Sequence, residues 1–246
     1  MSWPQNWRVA VHDSIDSTMD EARRMAAAGE RDCVAILALE QTRGRGRRER
    51  HWVSPRGNLM ATLFLSPHVD AARAATLSFA AGLAVADMID AAARKKVASL
   101  KWPNDVLIDG AKVAGLLVES ASDARNLVDW VAIGVGVNLL HAPEGTPYPA
   151  TSLAAHGIEL SPAQAIAALV PAFDRWLRVW EGEGFEPIRT AWLQRAALIG
   201  RDVTVNLANE SWTGTALDLD ATGALLVRDA KGLTRAVTAG DVFPLG

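Results

Sequence analysis

The sequence predicts an α+β fold in two parts, a larger N-terminal domain followed by a small antiparallel barrel. Three observations carry this. Strand and helix patterns alternate through the first 198 residues, but several strands are joined by hairpin turns rather than crossover helices. After Gly200, short strand-like stretches recur at even spacing with turn residues between them. The chain has 246 residues, 50% hydrophobic and 22% charged, which is a soluble globular composition long enough for a sizeable core. The division expected is residues 1–198 and 199–246, with the C-terminal piece too small to be stable unless it packs on the first.

Element by element, Arg8–His12 alternates as a strand. Thr18 with Glu21 has capping-box spacing, so a helix is expected over Met19–Ala28, stopped by Gly29. Cys33–Leu39 and Asn58–Leu65 are apolar strands, and Asp70 can cap an alanine-rich helix reaching Lys95. Leu100–Trp102 and Val106–Ile108 read as extended, and Asp109-Gly110 is a two-residue hairpin turn into Lys112–Glu119. Trp130–Asn138 has the apolar content of a strand buried on both faces. Ser161-Pro162 starts a helix running to about Trp180, which Pro171 should kink or break, and a second helix covers Glu186–Ala197. The barrel strands are Val203–Leu207, Trp212–Leu217, Ala224–Val227 and Thr234–Val237.

Charge and cysteine content exclude several classes. With 25 basic and 28 acidic side chains the net charge is −3, which gives no global field for DNA or anionic lipid. The single cysteine, Cys33, cannot form an intrachain disulfide or a cysteine-rich zinc site. The five histidines show no metal-ligand spacing, and no metal is expected among the site residues. The N-terminus lacks a basic region followed by an apolar one, and the apolar stretches fall well short of the roughly 18 residues of a membrane span. A cytoplasmic protein is expected.

The basic charge is unevenly spread. Arg43, Arg45, Arg47, Arg48, Arg50 and Arg56 are opposed only by Glu49 and interleaved with Gly44, Gly46 and Gly57. Glycine and like-charge repulsion disfavour helix there. Such a segment is either a solvated basic loop or a mobile loop that closes on an anion, and local charge alone does not choose.

Four segments stand out on this map: Ser17-Thr18; the loop Gln41-Thr42-Arg43-Gly44-Arg45-Gly46-Arg47-Arg48-Glu49-Arg50-His51-Trp52; Lys101-Trp102-Pro103-Asn104-Asp105 followed by Gly110–Glu119; and Gly134-Val135-Gly136-Val137-Asn138. In this order and spacing they resemble the biotin–protein ligase family over nearly the whole chain. The resemblance implies a catalytic domain like that of class II aminoacyl-tRNA synthetases, followed by an SH3-like barrel. It also implies a two-step reaction, in which biotin and ATP with Mg²⁺ give biotinyl-5′-AMP, and a lysine of a biotin carboxyl carrier protein of acetyl-CoA carboxylase or a related carboxylase then accepts the biotinyl group. Lys101 and Arg47 would be catalytic. Ser17, Thr18, Met19, Gln41, Arg45, Gly46, Arg47 and Lys101 would contact biotin, while Arg47, Lys112 and Asn138 would contact the nucleotide.

By residue type alone, Ser17 and Thr18 equally suit helix capping, Asn138 a strand-end turn, and Asn104 and Asp105 the fixing of a turn. Trp176 and Trp180, four apart, read as core packing. Two departures from the family pattern are Met19, where asparagine is usual, and Glu49, where glycine is usual; Glu49 could pair with Arg47 or Arg50. Only 16 residues precede Ser17, too few for a helix-turn-helix domain, so the expectation is a monofunctional ligase that does not bind DNA. The rival readings are a lipoate–protein ligase or octanoyltransferase, and an RNA-binding module using the arginine loop. The acidic balance and the few tyrosines and phenylalanines disfavour the latter.

Overall fold

The computed structural model describes residues 3–49, 52–146 and 148–245. A seven-stranded sheet is built from β1 (Trp7–His12), β2 (Cys33–Ala38), β3 (Leu59–Leu65), β4 (Ala98–Lys101), β5 (Asp105–Ile108), β6 (Ala111–Ser122) and β7 (Val128–Val137), in the order β1-β2-β3-β7-β6-β5-β4. Only the β1–β2 pairing is parallel. The β5–β6 connection is the two-residue turn expected, with Asp109 and Gly110 at φ of 49° and 78°, the pair of positive angles such a turn requires.

Period-2 alternation divides the sheet's two faces. On β2, Ala35 and Leu37 face the main core, whereas Val34 and Ile36 face a smaller cluster with Met19, Ala22 and Ala26 of α1 (Thr18–Ala27). The main face is covered by α3 (Leu77–Ala93), which follows the short α2 (Ala71–Ala75), and by α4 (Pro162–Glu183) and α5 (Phe185–Leu193). The α1 face of β3, β6 and β7 is left open beside the N-terminus of α1, and the functional cleft lies there.

The C-terminal segment forms a five-stranded antiparallel sheet of β8 (Asp202–Asn206), β9 (Ser211–Leu219), β10 (Leu225–Asp229), β11 (Thr234–Val237) and β12 (Asp241–Pro244), in the order β11-β10-β9-β8-β12. It is tied to the first sheet's layer by Arg189, which donates to the Leu219 carbonyl and the Asp218 carboxylate at 2.6 Å each, and by the Trp102 indole N–H on the Gly223 carbonyl at 3.0 Å. Gly223 has φ +85°, and a Cβ there would lie 2.6 Å from the Phe79 ring, so both conformation and space require glycine.

Several expectations are corrected. The helix expected from Asp70 to Lys95 is interrupted at Thr76, whose hydroxyl bonds back to the Arg73 carbonyl at 2.6 Å and receives the buried Trp180 indole N–H at 2.8 Å. Residues 71–93 are nevertheless long and apolar enough, by length and composition, to cross a membrane, and their apolar part is mostly buried in the fold as a core helix is. Pro171 does not break α4. The roughly 3 kcal/mol a mid-helix proline costs is offset by burial of Leu169, Val170 and Phe173, about 1.5–3 kcal/mol each. The cap of α1 is Ser17, whose Oγ accepts from the Met19 amide, not Thr18 with Glu21; Glu21 pairs with Arg24. A capping box forms instead at Ser161 and Gln164. The strand β12 was missed, because Asp241-Val242-Phe243-Pro244 is short and ends in proline.

Candidate active site

The N-terminus of α1 anchors a chain of hydrogen bonds. Thr62 on β3 donates to the Thr18 hydroxyl at 2.9 Å, and both the hydroxyl and the amide of Thr18 donate to Gln41 Oε1 at 3.0 and 2.8 Å. Gln41 Nε2 donates to Ser54 Oγ at 3.0 Å, and Ser54 donates to the Trp52 carbonyl at 3.0 Å. Ser17, Thr18 and Thr62 are almost fully buried, so this chain stands in a low-dielectric environment where unpaired groups would be costly. It fixes the base and the far end of the arginine loop to α1 and β3. The loop is also closed on itself by the Trp52 amide on the Gly44 carbonyl at 3.0 Å.

Glycines make the floor. Gly115 on β6 and Gly136 on β7 are register partners, and the Trp52 indole lies on both. A Cβ on Gly136 would fall 2.4 Å from the indole, and one on Gly115 would fall 3.2 Å from it. Met19 lies over Gly134, where a Cβ would come 2.9 Å from its Sδ. Bare strand backbone thus admits an aromatic ring and a thioether flat against the sheet.

Cations gather at the other end. Asp105 accepts from Lys112 Nζ at 2.6 Å and more loosely from Lys101 Nζ at 3.4 Å. Lys101 is largely buried; that desolvation holds its pKa below the usual lysine value, against the opposing pull of Asp105. Its Nζ lies 4.6 Å from the centre of the Phe243 ring, on β12. In the loop, Arg47–Glu49 forms a short 3-10 turn with Arg48 left-handed at φ 54°. Arg47 donates to Asn104 Oδ1 at 3.1 Å, Arg45 pairs with Asp20 at 2.5 Å, and Arg48 pairs with Asp241 of β12 at 3.0 Å. Around these groups is a cleft of about 360 Å³, within the range of small-molecule sites. One end is polar, the middle is walled by Met60, Leu117 and Val135, and the other end is cationic.

The profile of the biotin/lipoate A/B protein ligase family matches residues 11–138, and that of the biotin protein ligase C-terminal domain matches residues 198–243. The biotin–[acetyl-CoA-carboxylase] ligase of Paracoccus denitrificans is 40% identical over 235 residues, 93% of this chain and 97% of that one. The chain belongs to the biotin protein ligase family. Among solved structures, biotin protein ligase from Aquifex aeolicus in complex with biotin and ATP superposes with TM-score 0.82 at 23% identity, covering 98% of this chain and all of that one, which is a likeness of fold. The enzyme from Leishmania major in complex with biotinyl-5-AMP superposes with TM-score 0.65 at 29% identity, covering 96% of this chain and all of that one.

Of the residues the family resemblance singles out, the cleft is lined by Ser17, Thr18, Met19, Gln41, Arg45, Gly46, Arg47, Lys112 and Asn138. Lys101 is not in the lining; it lies behind Asp105 and against Phe243. Asn138 holds the chain that follows, its Nδ2 on the Thr151 carbonyl at 3.0 Å. Asn104 bonds across to β6 rather than within its turn, exchanging bonds with the Leu116 backbone. Asp105 does not fix the turn either, since it begins β5 and bridges two lysines. The pairing of Glu49 with Arg47 or Arg50 lies outside the described residues. Sequence reasoning placed Trp52 at the end of the arginine loop without giving it a role, and missed Tyr148 and Asp241 in the cleft wall; the glycines at 115, 134 and 136 on neighbouring strands were the available signal that something packs on bare backbone.

Proposed function

We propose that this ligase joins biotin to ATP at the cleft and passes the biotinyl group to a lysine of a biotin carboxyl carrier domain, as of acetyl-CoA carboxylase. In the first step a biotin carboxylate oxygen attacks the α-phosphorus of ATP, the bond to the β-phosphate oxygen breaks, and pyrophosphate leaves. In the second, the deprotonated carrier lysine attacks the carbonyl carbon of biotinyl-5′-AMP and AMP leaves with the carbonyl–oxygen bonding pair. The first step brings two anions together, so positive charge near the α-phosphate is the main requirement.

The observation that carries the reading is a single cleft with a neutral hydrogen-bonding end at Ser17, Thr18 and Gln41, an apolar middle, and a cationic end. A ureido ring suits the first and a hydrocarbon chain the second. A phosphate suits Arg47, Lys112 and the nearby Lys101, which the weaker of Asp105's two pairings leaves able to turn toward an arriving anion. Asn138 and Lys112 line the same cleft, and we assign them to the nucleotide. Among the described residues no group of three or more His, Cys, Asp or Glu side chains could hold a metal ion. Mg²⁺ arriving with ATP would supply charge that neutralises the leaving pyrophosphate. We assign the catalytic domain to residues 1–198 and the C-terminal domain to 199–246, and place the enzyme in the cytoplasm.

The relatives named above favour biotin over lipoate or octanoate. Pyrophosphate exchange into ATP separates them. Exchange that depends on biotin and is absent with lipoate or octanoate is the expected result; exchange driven by lipoate, or none with biotin, refutes the proposal.

A further inference from the structure

We propose that Phe243, on the last strand of the C-terminal sheet, is a positioning residue for Lys101 in the adenylation step. This rests on the reading of Lys101 given above. Asp241 and Phe243 are two apart on β12, so both side chains leave the same face of the strand. Asp241 lines the cleft and holds Arg48 of the arginine loop, while the Phe243 ring lies 4.6 Å from Lys101 Nζ. Tyr148 stacks on Phe243 with ring centres 3.9 Å apart and planes within 10°, which fixes the ring's orientation. One short strand of the C-terminal unit therefore reaches both the loop and the lysine of the catalytic domain.

The ring has a definite chemical task there. Lys101 has lost most of its hydration, and desolvation disfavours its charged form. Its carboxylate partner, Asp105, is 3.4 Å away and engaged more closely by Lys112. The negative face of an aromatic ring stabilises an ammonium without adding a competing carboxylate. A second tight carboxylate would hold Lys101 back from phosphate; a ring holds it charged and leaves its N–H donors available. The charged groups facing Lys101 are Asp105 from β5, Lys112 from β6 and Asp241 from β12, and none of them is altered by changing Phe243.

The test is the pH profile of biotin-dependent pyrophosphate exchange in the full chain. Phe243→Leu keeps an apolar side chain and removes the ring. The alkaline limb, where Lys101 loses its proton, should move down by about half a pH unit. At neutral pH kcat should fall roughly 3- to 5-fold with the biotin KM unchanged. Phe243→Tyr should restore the wild-type limb. Replacement of Phe243 by pentafluorophenylalanine, which reverses the charge on the ring face at nearly constant shape, should reproduce the leucine shift in a protein of normal melting temperature. A normal wild-type profile that none of these changes moves, or one that leucine and tyrosine move alike, overturns the role of Phe243 alone. Absence of biotin-dependent exchange in the wild type overturns the parent reading as well.

Discussion

Gly136→Ala is the smallest change that tests how the cleft floor is made. The backbone of β7 accepts alanine there, because Gly136 is not among the positive-φ glycines. Space does not. The new methyl would stand 2.4 Å from Trp52 Cε2 and 2.6 Å from both Cζ2 and Nε1, against a comfortable carbon–carbon separation of about 3.5–4.0 Å. The indole must rise by about 1 Å. It cannot do so alone, since the Trp52 amide and carbonyl are bonded to Gly44 and Ser54. The strain should amount to about 1–3 kcal/mol, divided between global stability and displacement of the arginine loop. Urea unfolding of Gly136→Ala should show part of this loss, and the KM for ATP in pyrophosphate exchange should rise by about tenfold. Trp52→Leu removes the obstruction, so in the double variant the two changes should deviate from additivity by about 1 kcal/mol or more. Wild-type stability and kinetics in Gly136→Ala would refute the packing of the indole on bare strand.

Three further outcomes follow from the loop and its anchors. On the proposed role of Arg47 at the phosphate, Arg47→Gly removes a charge-assisted contact worth about 1.5–3 kcal/mol, so it should still form adenylate but release it; a streptavidin blot should show increased labelling of bystander serum albumin, and labelling no greater than wild type would rule out Arg47 as a residue that retains the adenylate. Hydrogen exchange across residues 43–56 should slow when biotin and ATP are added, because the ion pairs of Arg45 with Asp20 and Arg48 with Asp241 involve partly exposed arginines and are individually weak; equal protection in both states would contradict a closing role. The Arg24 guanidinium bonds Asp16 through both oxygens and holds its carboxyl well below the usual carboxylate range. Because the folded value is the lower one, this contribution is fully present above the unfolded pKa of about 3.9 and is lost as pH falls through the folded value. Asp16→Asn should therefore cost about 1 kcal/mol at pH 7, modest because Arg24 is half exposed, and progressively less below about pH 4. A urea-derived difference that persists unchanged at pH 2 would contradict the pairing.

Local chemistry made much of this fold legible. Ser161-Pro162 begins α4 and Asp109-Gly110 turns β5 into β6, because caps and positive-φ turns are decided within a few residues. Pro171 ends no helix for the opposite reason, since its local penalty is overridden by side chains packed from distant elements. Thr76 looked like any helical threonine until Trp180, 104 residues away, was placed on its hydroxyl. In the site, the residues of the matched segments could be named from order and spacing, and the cleft gathers most of them. What no spacing encoded was the third dimension of the cation end. Asp105 shared between two lysines, Trp52 lying on paired glycines, and β12 arriving from the other end of the chain are contacts between segments far apart in sequence.

On the proposed mechanism, a buried lysine beside the cleft supplies the charge that lets a carboxylate attack a phosphate. Lys101→Ala tests it most directly, by the rate of biotinyl-5′-AMP formation in a single turnover. Losing one preorganised contact of this kind costs on the order of 3–4 kcal/mol in the barrier, or roughly a 10²- to 10³-fold slower step. Folding should be retained, because Lys101 contributes only the looser of Asp105's two ion pairs. A correctly folded Lys101→Ala enzyme that forms adenylate within a few-fold of the wild-type rate would contradict the account.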